Sequence, residues 1–373
     1  MSNKHIFFTF SITFSIISAQ PTFTEHAIST DADYAMFVYA ADVDGDGDID
    51  ILSASRDDAK IAWYENDGSE NFTEHAISTS ASGAHSVYAA DVDGDGDMDV
   101  LSASRNDNKI SWYENDGSES FAEHVISTSA DQVRSVYVAD VDADGDMDVL
   151  SASQNDDKIA WYENDGGESF TEHVISTSAD GAASVYAEDV DNDGDLDILS
   201  ASILDGKVAW YENNGSENFT QHEITTNFNR AVCVYAMDVD ADGDMDVLSA
   251  SYNLNTIVWY ENDGNENFTT HVITNTATGA HSVFAADVDA DGDMDVLSAS
   301  YNNDKIDWYE NDGSENFTDN TISTSANSAR SVYAVDVDGD GDMDVLSASS
   351  DDDKIAWYEQ DGSPFKPQTK EEL

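Results

Sequence analysis

Between Asp42 and Asp50 every second residue is an aspartate (Asp42, Asp44, Asp46, Asp48 and Asp50), and Gly47 holds the sixth place. The pattern D-x-D-x-D-G-D-x-D returns at Asp91, Asp93, Asp95, Asp97 and Asp99, at Asp140, Asp142, Asp144, Asp146 and Asp148, and at Asp189, Asp191, Asp193, Asp195 and Asp197. Three more copies follow: Asp238, Asp240, Asp242, Asp244 and Asp246; Asp287, Asp289, Asp291, Asp293 and Asp295; Asp336, Asp338, Asp340, Asp342 and Asp344. Each copy starts 49 residues after the one before (91 − 42, 140 − 91 and so on), with no insertion or deletion.

Carboxylates spaced in this way are suited to gathering round a hard cation. Ca2+ takes about six to eight oxygens at about 2.3–2.6 Å. Positions 1, 3 and 5 of such a loop converge when a glycine at position 6 permits a sharp turn. Position 7 then offers its backbone carbonyl, with the Asp48-type side chain pointing outward, and position 9 closes the shell. Position 12 is Ser53 rather than a bidentate Glu, and ILSAS follows instead of a helix, so the loop is not an EF-hand. Nor is it the GGxGxD repeat of β-rolls. Without a metal, neighbouring carboxylates ~4–5 Å apart at an effective dielectric of ~20 repel by several kcal/mol per loop. A solvated acidic turn explains one copy; seven with the same glycine point to Ca2+, up to seven ions, in a structural role.

The loops need elements to hold them. The second unit reads as four short runs, HSVYAADV, DVLSAS, KISWYEN and FAEHVIST, here strands A to D. They are rich in β-branched and aromatic residues and are separated by Gly, Asp, Asn and Ser, which is a strand-and-turn signature. Four strands per repeat of this length is the pattern of a β-propeller blade. A strand D with no preceding A to C opens the repeated region at Phe23–Thr30, and the last unit stops after strand C. The two ends are complementary, so residues 23–30 are expected to complete the last blade and close an all-β, seven-bladed ring. Pro21, Pro364 and Pro367 all lie outside the repeats, as strands that need every N–H require. Seven tryptophans at one strand position (Trp63, Trp112, Trp161, Trp210, Trp259, Trp308 and Trp357) are expected to pack between blades. The one cysteine, Cys233, falls where other copies carry Ser86, Ser135, Ser184 and Ser282, and reads as a small buried residue.

The chain has 373 residues, 40% of them hydrophobic, which is enough for a large core despite a net charge of −64. Seven loops of five aspartates account for 35 of the 78 Asp and Glu. Such a surface excludes nucleic-acid backbones and anionic membranes as partners and favours cations. Residues 1–19 read as a signal peptide, because the apolar run Ile6–Ile17 is too short to span a bilayer. No other segment is long and apolar enough to do so. Secretion or surface exposure is therefore expected. The C-terminal KEEL and the sequons at Asn71, Asn214, Asn218, Asn267 and Asn316 keep the endoplasmic reticulum lumen open as an alternative. The organisation expected is a signal peptide (1–19), a propeller (20–365) and a tail (366–373), the whole forming a monomeric ring.

The DxDxDGxxD loop followed by an apolar strand resembles the FG-GAP/VCBS repeat family, the calcium-loop blades found in integrin alpha subunits and many secreted microbial proteins. The resemblance covers nearly all of residues 23–365, although the Phe-Gly and Gly-Ala-Pro landmarks are absent. It implies a seven-bladed propeller, Ca2+ in the A–B loops, and recognition rather than catalysis.

Among the seven copies the A–B and C–D connections are nearly constant. The B–C connections differ: RDDAK, RNDNK, QNDDK, ILDGK, YNLNT, YNNDK and SDDDK. The D–A connections also differ, placing Met36, His85, Arg134, Ala183, Val232, His281 and Arg330 at one equivalent position. All five arginines and six of the nine lysines fall on this variable face. Two readings stand: Lys–Asp pairing on a solvated rim, or a site in which Arg56, Arg105, Tyr252, Tyr301, His85 and His281 contact a glycan or an extracellular protein. The strand-D histidines (His26, His75, His124, His173, His222 and His271) read as packing residues. No nucleophile motif or phosphate loop stands out from the repeat, so a non-enzymatic role is expected, with a polysaccharide lyase or a calcium-binding scaffold of the secretory pathway as alternatives.

Overall fold

A computed structural model describes residues 20–362 except residue 168; the expected signal peptide, the tail with its KEEL, and Pro364 and Pro367 lie outside the described residues. The described residues form seven four-stranded antiparallel sheets, and no helix occurs among them. In the first blade strand A is Ala35–Ala41, B is Asp50–Ser55, C is Lys60–Asn66 and D is Phe72–Ser78, paired in the order A-B-C-D. The seventh blade takes its fourth strand from the chain start: Phe23–Ser29 pairs with Lys354–Gln360, from Phe23 opposite Gln360 to Ser29 opposite Ile355. The ring closes as the complementary ends require, with the outer edge of the last strand C covered by the chain start.

Burial explains the composition of each strand. Strands A of neighbouring blades meet around the axis. There Ala35, Val38 and Ala40 are buried, while Phe37 and Tyr39 are half-buried and face the channel. Strand B, DILSAS, is buried along its whole length, whereas strand D alternates between half-buried and exposed. Each tryptophan is buried in a core shared by two blades: Trp63 packs with Leu52 and Ile61 of its own blade and with Ala84, Val87 and Val100 of the next. The same core forms across the closure, where Trp357, Leu346 and Val337 meet Val38 and Ile51. His26, His75, His124, His173, His222 and His271 stack on these tryptophans with centroids 4.4–4.8 Å apart, each within 2.6–2.8 Å of a strand-C glutamate.

In every blade the A–B register shifts at the second residue of strand A, for example between Ala35 and Phe37. A bulge places two residues opposite one and re-aims a side chain. This bulge positions the residues described next.

Candidate functional site

The ring carries two kinds of candidate site, on opposite faces. In the first five A–B loops the carboxylates at positions 1, 3 and 9 lie together, with ligand atoms within 4.8 Å of one another: Asp42, Asp44 and Asp50, and their equivalents to Asp246. The glycine at position 6 takes φ between 95° and 102° in all seven loops, a conformation that side-chain-bearing residues rarely adopt. Two details differ from the sequence template. Asp46, at position 5, is not in the converging trio; its Oδ1 accepts the Asp48 N–H at 2.9 Å. The Asp48 side chain does not project freely outward but lies over the C–D turn, where a Cβ on Gly68 would stand 2.3 Å from its Oδ2. The spacing pattern carries no information about that neighbouring turn.

Position 9 does more than close the loop. Asp50 is fully buried; its Oδ2 accepts Val43 N–H at 2.9 Å and its Oδ1 accepts Asn66 N–H at 2.8 Å. Burial pushes its carboxyl up to about 6 despite those two bonds. The indole N–H of Trp63 leans toward the same carboxylate, outside strict hydrogen-bond geometry. Asn66 then reaches the preceding blade, donating to Val337 O at 3.2 Å, as Asn115 does to Val43 O at 3.1 Å. Each acidic loop is thus tied to the core of its own blade and to the next blade. In the seventh blade Gln360 replaces the asparagine, and neither its side-chain nitrogen nor its oxygen finds a partner. Oδ1 of Asp42 and of Asp287 is buried without a partner. An oxygen-only donor set with an orphaned carboxylate oxygen is suited to a hard cation such as Ca2+.

On the opposite face the bulge residues Met36, His85, Arg134, Ala183, Val232, His281 and Arg330 line the mouth of the central channel. They belong to strand A rather than to the D–A connection, because the bulge turns them in line with it. Below them Phe37, Ser135, Ser184, Cys233 and Ser282 lead to a closed ring of seven aromatic side chains, Tyr39, Tyr88, Tyr137, Tyr186, Tyr235, Phe284 and Tyr333, with neighbouring centroids 4.4–5.1 Å apart. Sequence reasoning missed this ring, although one aromatic at the fifth place of every strand A was its visible signal. Cys233 is half-buried on the channel wall, and burial raises its thiol.

The residues singled out on the variable face are brought to this mouth in two tiers. His85 is buried and His281 half-buried in the channel wall; their Nδ1 atoms lie 2.8 Å from Arg134 O and Arg330 O. Arg330 donates to Nε2 of His281 at 3.1 Å. Burial first, then Arg134 for His85 and Arg330 for His281, hold both imidazoles well below their ordinary value, so both are neutral at pH 7. Outside them Arg56 pairs with Asp57 at 2.6 Å and lies 3.3 Å over the Tyr34 ring. Arg105 donates to Gln132 and Gln154 at 2.8 and 3.1 Å. Tyr252 and Tyr301 already carry a guanidinium on one face, Arg230 at 4.1 Å and Arg330 at 4.2 Å.

Lysines and arginines behave differently. Lys60, Lys158 and Lys354 each contact two carboxylates, and Lys109, Lys207 and Lys305 one each; Lys60, Lys158, Lys207 and Lys354 are themselves buried. The pairing reading therefore fits the lysines. It fits only Arg56 among the arginines: among the described residues no carboxylate lies within ion-pair distance of Arg105, Arg134, Arg230 or Arg330.

A family model described as "FG-GAP-like repeat" matches residues 42–102, 91–151, 140–200, 189–249, 238–298 and 287–347. No curated protein matches the sequence significantly. Similar solved structures include a streptogramin B lyase (15% identity, TM-score 0.66, covering 91% of this chain and 98% of that one). They also include BBS1N in complex with ARL6DN (12%, 0.66, 94% and 99%) and the WD40 propeller domain of Doa1 (14%, 0.67, 93% and 99%). At these identities the likeness is one of fold.

Proposed function

Because the chain belongs to the FG-GAP-like repeat family, we propose that it is a calcium-stabilised recognition module, exported or surface-exposed, that binds a glycan or an extracellular protein at the arginine-lined mouth. Asp42, Asp44 and Asp50 and their equivalents would hold the ions, which neutralise carboxylates that otherwise repel. The carrying observation is the division of labour between faces: seven near-identical acidic loops on one, and seven different sets of side chains gathered round a channel on the other. BBS1N, whose structure shares this fold, is seen in complex with ARL6DN.

A glycan and extracellular-matrix array probed with and without calcium tests the reading. Binding that requires calcium, and that is lost on replacing Tyr252 and Tyr301 with alanine, supports it. Silence across the array, or binding indifferent to both substitutions, removes the assigned ligand face.

Lyase-type catalysis is the second reading, favoured by the two neutral imidazoles at the channel mouth and the fold shared with streptogramin B lyase. It ranks lower because Nε2 of His281 already accepts from Arg330, leaving that imidazole without a lone pair for proton abstraction. Turnover of a uronate polymer, abolished in His85→Gln, would reverse the order.

A further inference from the structure

The geometry points to an oxyanion-binding site at the channel mouth, built on Arg134 and Arg330 and supported by Arg105 and Arg230, that takes a carboxylate or sulfate group of the ligand. This deepens the recognition reading, on which it rests for the choice of face.

The chain carries 78 acids against 14 lysines and arginines, so carboxylates outnumber basic side chains more than fivefold. Among the described residues four arginines lack a carboxylate partner: Arg134 and Arg330 line the mouth, and Arg105 and Arg230 stand near enough for their charges to act on Arg134. Arg134 uses one of its five N–H donors, toward Gln154 Oε1 at 3.2 Å. Its Nε, like those of Arg105 and Arg230, is shielded from solvent and has no partner. Burial, followed by the charges of Arg105, Arg330 and Arg230, lowers the Arg134 guanidinium to about 9. Like charges held together without a counter-ion oppose folding, and unpartnered buried donors call for an explanation. One anion would relieve both.

The surroundings agree. A cavity of about 60 Å³ opens between Arg134, Arg330, His85 and His281. Arg330 is held in place by Ser350 Oγ at 3.2 Å, by His281, and by the Tyr34 hydroxyl. Guanidinium donors fit the planar edge of a carboxylate or two oxygens of a sulfate. The acidic loops occupy the far face, and at physiological ionic strength the Debye length of about 8 Å screens charges across the ring.

The test is calorimetric titration of the calcium-loaded protein with sodium sulfate, sodium glucuronate and glucose at constant ionic strength. Saturable binding of sulfate, glucuronate or both, weakened about tenfold or more in Arg134→Gln or Arg330→Gln, supports the site. The two arms tell a sulfated ligand from a uronate. If Arg134→Gln fails to fold, Arg230→Gln carries the same measurement. No saturable anion binding, equal binding of glucose, or unchanged affinity in the variants overturns the proposal. A silent array with anion binding intact would sink the recognition reading alone; array binding unaffected by sulfate and glucuronate would sink this one alone.

Discussion

The two faces of the ring use charge in opposite ways. On the acidic face like charges are repeated seven times in one geometry, and each loop is pinned by the same bonds: the position-9 aspartate to two backbone N–H groups and, in six blades, a strand-C asparagine to the preceding blade. On the other face the backbone repeats as faithfully, with the same bulge in all seven blades, yet the side chains it presents range from Ala183 to Arg134. Repetition of both backbone and side chain marks a stabilising element. Repetition of backbone alone marks a frame on which different contacts are displayed.

That contrast can be broken most severely by removing divalent ions. If each site stands at about ten times its dissociation constant it adds ~1.4 kcal/mol, so seven contribute roughly 10 kcal/mol, comparable with the stability of a whole domain. Thermal melts should fall sharply with chelator and recover with calcium, while substitutions on the arginine face leave that difference unchanged. One loop should give about one seventh of the effect: Asp44→Ala is expected to cost ~1.4 kcal/mol in calcium and to stabilise in chelator, where it relieves the repulsion from Asp42 and Asp50. Equal cost in both would mean that the carboxylate stabilises without a cation.

The arginine face should respond to pH through its imidazoles. Above about pH 6.5 His85 and His281 are neutral whether the chain is folded or not, and they contribute nothing. Below it the unfolded chain takes up protons that the folded chain refuses, so stability falls as pH drops, by up to about 1.4 kcal/mol per unit per histidine. Denaturant titrations of a His85→Gln, His281→Gln double variant should show a shallower loss than the parent over that range; identical slopes would contradict the burial of these rings. The smallest effect sits at the one irregularity of the acidic face. Gln360→Asn should restore the seventh inter-blade bond and raise stability by about 1 kcal/mol, read as a shift in the denaturation midpoint.

Much of this was legible in the sequence because the repeat is strict. The period located the loops, the strand composition gave the blade, and the orphan FTEHAIST at the start with its missing counterpart at the end gave the closure. The linear pattern located the tryptophans between blades but did not reveal what a register shift or a neighbouring turn sets. The bulge that turns Arg134 and Arg330 into the channel leaves no mark in composition, so the linear pattern puts them, with His85 and His281, in the D–A connections. The aromatic ring from Tyr39 to Tyr333 read as ordinary strand content until the seven strands met at one axis. The carboxylate of Asp48 was misplaced because its neighbour, the turn at Gly68, lies 20 residues away (68 − 48) in sequence.

Anomalous diffraction from crystals grown in calcium addresses the division between faces most directly. The account predicts peaks in the A–B loops, about 2.3–2.6 Å from the carboxylates at positions 1, 3 and 9, and none at the arginine-lined mouth. Loops without a peak in saturating calcium, or a cation seated among Arg134 and Arg330, would contradict it.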